Sequence, residues 1–151
     1  MISALGNRNY ADPMQVIHSA VRGIVPAMTR SGTRRIIILA GAGLLQHDAT
    51  TMIKDLPNQH PMFRYPRENH FAAYQYVKAT SVDWLMLCPP EIRAGAADGD
   101  YVTAVDYFPA DGLWFITAGN IGHYIAHEIT NQQFSSTRIG IATKGDGDTR
   151  R

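Results

Sequence analysis

Residues 35–45 read RIIILAGAGLL, and the stretch Arg35 to Ala40 decides the fold. Ile36, Ile37, Ile38 and Leu39 follow one another with no polar alternation, so a strand built from them is apolar on both faces. A half-exposed antiparallel strand alternates; a strand of a parallel sheet covered by helices on both sides does not. Gly41-Ala42-Gly43 ends the run. A second run of the same kind, VDWLML at Val82 to Leu87, is stopped by Pro89-Pro90.

Toward the N-terminus, Ile2 to Leu5 reads as a short strand and Gly6-Asn7-Arg8-Asn9 as a loop. Asp12 is a good N-cap with Pro13 at the first helical position. Val16, Ile17, Ala20, Val21, Ile24, Val25 and Met28 then give one helical stripe. Gly32 is the natural C-cap. Toward the C-terminus, 46–67 carries prolines at 57, 61 and 66 and little periodicity, which predicts a long irregular excursion of the kind that is often functional. Glu68 to Thr80 reads as a helix, Gly95 to Gly99 as a loop, and Tyr101 to Asp106 and Leu113 to Ile116 as short strands. Thr117 can cap a last helix from Asn120 to Thr130, with Ile121, Tyr124, Ile125 and Ile129 as its buried stripe. Arg138 to Ala142 reads as a final strand.

The order β-α-β-α-β predicts an α/β fold, a parallel sheet flanked by helices. Ligands of such sheets sit at the carboxyl ends of the strands. Leu5–Arg8, Gly41–Leu45 and Cys88–Ile92 would meet there.

The chain has 151 residues, 45% apolar and 18% charged, which is one globular domain by length and composition. A net charge of +1 gives no electrostatic case for nucleic acid or an anionic membrane. Cys88 is the single cysteine, which excludes an intrachain disulfide and suits a reducing cytoplasm. No basic segment followed by an apolar core opens the sequence. The apolar run Ile36 to Leu45 falls well short of the roughly 20 residues a membrane span needs.

SALGNRN at 3–9, RIIILAGAGLL at 35–45 and DWLMLCPPEI at 83–92, in that order and spacing, resemble the atypical short-chain dehydrogenase/reductases. The most similar subgroup is the NmrA-like NAD(P)H-binding proteins that include the flavin and biliverdin-IXβ reductases. GDYxxAV at 99–105 and FITAGNIGHYIAHEI at 115–129 match the same family's later loop and last helix.

The resemblance implies a Rossmann-like sheet, NADP or NAD as cofactor, and a flavin or quinone as a possible acceptor. It implies that Gly6, Asn7 and Arg8 approach the cofactor, that Gly41 and Ala42 pass near the nicotinamide, and that Pro89, Pro90 and Glu91 lie beside its edge. His70 matches a histidine near the substrate. The family's glycine-rich G-x-x-G-x-x-G turn and first three strands would lie before Met1, so the expectation is a partial sheet with the first three strands missing. Residues 1–142 form this truncated domain and 143–151 a disordered tail. Dinucleotide binding by the isolated chain is then expected to be weak or absent, since helix N-terminal amides normally hold the diphosphate. Ile2–Leu5 would be an open edge that a second copy covers, giving a homo-oligomer. The alternatives are a non-catalytic NmrA-like interaction or regulatory protein, and a truncated gene product.

Gly41 stands where short-chain dehydrogenases carry a serine, and Asn120 where an acid is expected. Tyr74-Gln75-Tyr76-Val77-Lys78 satisfies Y-x-x-x-K, but the register places the family's lysine near His70, so it reads as a plain helix. His70 is the catalytic candidate, able to donate a proton or bind substrate because a histidine pKa lies near neutral. Gly41-Ala42-Gly43-Leu44-Leu45-Gln46 matches G-x-G-x-x-G only in part and reads as a tight turn. His123 and His127 share a helix face but lack a third ligand for a metal. Cys88 reads as a buried apolar residue, not a reactive thiol.

Overall fold

The computed structural model describes residues 1–7 and 9–145. Arg8 and residues 146–151 lie outside the described residues, and with them one expected cofactor contact and most of the expected tail. The elements are β1 (Ile2–Ser3), α1 (Val16–Ser31), β2 (Arg35–Leu39), α2 (Arg64–Lys78), β3 (Asp83–Cys88), β4 (Glu91–Arg93), β5 (Tyr101–Val105), β6 (Phe115–Thr117), α3 (Ala118–Asn131) and β7 (Thr137–Thr143).

The main sheet has the order β1-β2-β3-β7-β5. β1, β2, β3 and β7 run parallel, with Ile37 opposite Leu85 and Leu87 opposite Ile139. β5 runs antiparallel to β7, so the sheet is mixed at that edge and not wholly parallel as expected. β4 and β6 form a separate parallel pair, which the sequence reading had as loop and isolated strand.

The non-alternating runs are explained by two cores. Ile36 and Ile38 of β2 and Trp84 and Met86 of β3 pack against Val21, Val25 and Met28 of α1 and Ala73 and Val77 of α2. Ile37, Leu85 and Leu87 point to the opposite face, where Ile121 and Tyr124 of α3 and Ile139 and Ile141 of β7 cover them. Each such side chain taken from water contributes about 1.5–3 kcal/mol.

Several boundaries differ from the sequence reading for local reasons. α1 starts at Val16, not after Asp12: the Asp12 carboxylate accepts the Met14 N–H at 2.9 Å and closes its own turn. The first turn of α1 is capped from another helix, Asn69 Oδ1 accepting the His18 N–H at 3.0 Å. α2 begins at Arg64, so Pro66 lies in its first turn, where a missing N–H costs no intrahelical bond. β1 is confined to Ile2–Ser3. β7 runs through Thr143, and Lys144 forms a bridge with Gly112.

Thr117 caps α3 as expected, its hydroxyl accepting the Asn120 N–H. The stripe of α3 does not hold at its end. Ile129 is exposed at 47%, while Glu128 is fully buried beside Arg35. Asn120 is buried, accepts the N–H groups of Asp98 and Gly99 and donates to the Asp98 carboxylate, a set that an acid could not complete. Among the described residues no helix is long and apolar enough to cross a membrane.

Candidate functional site

Three chain segments reach the carboxyl ends of adjacent parallel strands because β1, β2 and β3 are consecutive in the sheet. Between them lies a cleft of about 850 Å³. Its floor is backbone: the Ala40 N–H donates to Leu87 O and the Ala42 N–H to Pro89 O, both at 2.8 Å, which locks the Gly41–Leu44 turn to the Pro89-Pro90 segment. Ala42–Leu44 is a single 3-10 turn and not the start of a longer helix, so the partial G-x-G-x-x-G match is a turn.

Of the sequence-derived candidates, Gly6, Asn7, Gly41, Ala42, Pro89, Pro90, Glu91 and His70 all line this cleft. Arg8 is outside the described residues. Asn7 spends its side-chain N–H on Met14 O at 3.3 Å and so ties the loop after β1 to the start of α1. Glu91 is the first residue of β4 and not a loop residue; its carboxylate pairs with Arg93 at 2.7 Å, which holds it below the usual carboxylate range.

His70 comes from the second turn of α2, and its ring lies over Gly41. A Cβ on Gly41 would meet Nδ1 at 3.3 Å and Cε1 at 3.6 Å. The side-chain volume that a serine would need at position 41 is therefore filled by the imidazole. Burial lowers the His70 pKa to about 4, which corrects the expectation of a value near neutral. The ring is a neutral hydrogen-bonding group at pH 7, with one nitrogen donating and the other accepting.

The other motifs fall elsewhere. Tyr74 is buried against Trp84, with ring centroids 5.7 Å apart, and neither it nor Lys78 lines the cleft. The Y-x-x-x-K match is a packing tyrosine and a helix-end lysine. Cys88 is fully buried with its thiol close to Met86 O, and burial pushes its pKa far up. His123 Nδ1 lies 3.0 Å from the Tyr101 hydroxyl. Among the described residues no three metal-capable side chains converge.

Sequence reading missed the opposite wall of the cleft. The excursion between β2 and α2 brings His60 and Phe63 over it, and Phe63 meets Tyr10 from the loop after β1 with ring centroids 5.6 Å apart. Arg67 and Trp114 also line the cleft. Trp114 stacks on Phe108 at 4.6 Å yet remains 56% exposed. Placing the start of α2 at Arg64 would have put Arg67 on the same helix face as His70, three residues away.

The NAD(P)H-binding family model matches residues 1–132. Among solved structures the chain is similar to a candidate NADH-flavin reductase from Streptococcus pneumoniae, with a TM-score of 0.83 and 20% identity, covering 95% of this chain and 70% of that one. A candidate exported protein from Burkholderia pseudomallei superposes with a TM-score of 0.82 at 20% identity, covering 93% and 69% of the two chains. An oxidoreductase from Lactococcus lactis gives 0.73 at 15% identity, covering 95% and 61%. At these identities the likeness is one of fold, and the fold is the Rossmann-like sheet.

Proposed function

Because the chain belongs to the NAD(P)H-binding family, we propose that it is a nicotinamide-dependent reductase whose acceptor is a flat ring of flavin or quinone type. The observation that carries this reading is the cleft itself. A glycine-and-proline floor, a neutral histidine and an aromatic wall converge at the carboxyl ends of β1, β2 and β3.

The residues fit the nicotinamide end of the cofactor. Gly41 makes room for the His70 ring, and Pro89-Pro90 forms a rigid edge of the same cleft, so a planar ring entering it would lie between the imidazole and the proline edge. When bound, the cofactor supplies the hydride. This chain's part is to orient and to exclude water: Gly41, Ala42, Pro89 and Pro90 hold the ring's plane, and Tyr10, Phe63 and Trp114 cover the acceptor. His70 holds a proton on one ring nitrogen against the acceptor's carbonyl or ring nitrogen.

The diphosphate end is less well served. The first turn of α1 adjoins the cleft, but its Val16 N–H is given to Met14 O and its His18 N–H to Asn69. Asp12 adds a carboxylate on the same side. This supports weak dinucleotide affinity for the isolated chain. The exposed apolar edge at Met1, Ile2 and Leu5 supports pairing with a second copy, which light scattering would read as twice the monomer mass.

The test is calorimetric titration of NADPH and NADH into folded, monodisperse protein, followed by NADPH oxidation with a flavin or naphthoquinone. Binding and turnover, however modest, support the reductase. Absence of binding to millimolar concentration overturns it and favours the interaction-protein reading.

A further inference from the structure

Arg67 and His70 each rest on a glycine of the turn after β2. Arg67 Cγ and Cδ lie 3.3 and 3.4 Å from where Gly43 would carry a Cβ, as the His70 ring lies over Gly41. The Gly41-Ala42-Gly43 spacing therefore seats two cleft-lining residues of α2 that lie three positions apart. The stem of Arg67 crosses the bare backbone of Gly43, and the guanidinium is delivered to the rim of the cleft.

At that rim Nη1 donates to Gln59 Oε1 at 3.3 Å and to His60 O at 3.4 Å, two long bonds to neutral acceptors. Arg35, Lys54, Arg64, Arg93 and Arg138 each pair with a carboxylate. Arg67 pairs with none among the described residues. The carboxylates that line the cleft are committed elsewhere, Glu91 to Arg93 and Asp12 to the Met14 N–H. The cleft thus presents a planar cation with donors to spare that pairs with neither of the two carboxylates in the lining, Asp12 and Glu91. Beside it stand the His60 and Phe63 rings, 6.0 Å apart.

We propose that Arg67 binds an anionic group of the electron acceptor, a phosphate or carboxylate on a flat aromatic body. This inference rests on the reductase reading above. A guanidinium fork matches both oxyanions in a bidentate geometry that an ammonium does not. With the anion held there, the acceptor's ring lies along His60 and Phe63 and its reactive edge points toward His70. Gly43 is the specificity determinant behind Arg67, because any side chain at that position pushes the stem aside.

Flavin mononucleotide and riboflavin share one ring system and differ by a phosphate, so the pair isolates the anion. Both are titrated into the wild type, Arg67→Gln, Arg67→Lys and Gly43→Ala by flavin fluorescence quenching, with no turnover required. The wild type is expected to prefer the mononucleotide by about tenfold or more, the size of one charge-assisted contact. Arg67→Gln removes the preference by bringing mononucleotide affinity down to that of riboflavin, Arg67→Lys keeps part of it, and Gly43→Ala reduces it. Equal binding of the two flavins by the wild type, or a preference that survives in Arg67→Gln, overturns the inference. So does binding of NADPH without binding of either flavin. Loss of NADPH affinity in Arg67→Gln with the flavin preference intact also overturns it, assigning the cation to the cofactor. Failure of NADPH itself to bind sinks the reductase reading, while the flavin ratio still reports on Arg67.

Discussion

The His70 imidazole occupies the space that a side chain on Gly41 would fill, with Nδ1 3.3 Å from the position of a Cβ. Gly41 has an extended backbone, φ −150°, which any residue can adopt. The glycine is therefore required for the room it leaves and not for its conformational freedom.

Gly41→Ala tests that relation. The methyl group moves the ring by a few tenths of an ångström, and misplacement at a reacting centre is costly. We expect kcat for NADPH oxidation to fall about tenfold. Stability should change by less than about 1 kcal/mol, since the backbone suits alanine. Turnover and a urea melt on the same variant check both halves.

His70 makes stability depend on pH. The unfolded imidazole titrates near 6.5 and the folded one at about 4. Between those values the unfolded state binds more protons, so stability rises with pH through that window and is lost as pH falls toward 4. With the ring's partial exposure allowed for, the loss is on the order of 2 kcal/mol. Urea midpoints of wild type and His70→Gln should diverge between pH 7 and pH 4, with the variant flatter.

Tyr74→Phe addresses the Y-x-x-x-K match. A catalytic tyrosine would cost about 100-fold or more. Tyr74 lies in the core against Trp84 and away from the cleft, so kcat should be unchanged.

Glu128 is fully buried, pairs with Arg35, and accepts the Phe134 N–H at 3.0 Å. Removing it in Glu128→Ala leaves Arg35, itself mostly buried, with Asp83 as its one carboxylate and the Phe134 carbonyl as its other acceptor. The expected cost is about 3–5 kcal/mol in a denaturant melt. Flavin preference should not move in the protein that remains folded.

Arg138 on β7 donates to Leu44 O at 2.6 Å and to the Asp106 carboxylate at 2.8 Å. It holds the turn under the cleft from a strand distant in sequence. Arg138→Met should cost about 2 kcal/mol by leaving the Leu44 carbonyl unpaired. It should also raise KM for the acceptor more than it lowers kcat, which steady-state kinetics separate.

Much of the fold was legible because its signals are local. Ile36–Ile37–Ile38 alternate between two helix-covered cores, so an unbroken apolar run could mean only burial on both faces. Gly32 terminates α1 in the left-handed conformation, φ 73°, and Thr117 opens α3, each by chemistry confined to one helical turn. The glycine and proline stretches were readable as one cleft because three strand ends of one parallel sheet must open on the same side, while His70, on a helix, was singled out by the family resemblance.

The sequence by itself determined the central strands, the three helices in outline, the end of the sheet at which the cleft opens, and the glycine and proline character of its floor. Tertiary structure alone decided the cap of α1 by Asn69, the burial of Glu128, the antiparallel return of β5 and the lowered pKa of His70. It also decided that Tyr10, Phe63, Arg67 and His70 line one cleft. Periodicity and capping act within a few residues, so a sequence displays them. A buried charge, a cap lent by another helix and a desolvated imidazole depend on what the folded chain brings alongside, and no local pattern encodes that.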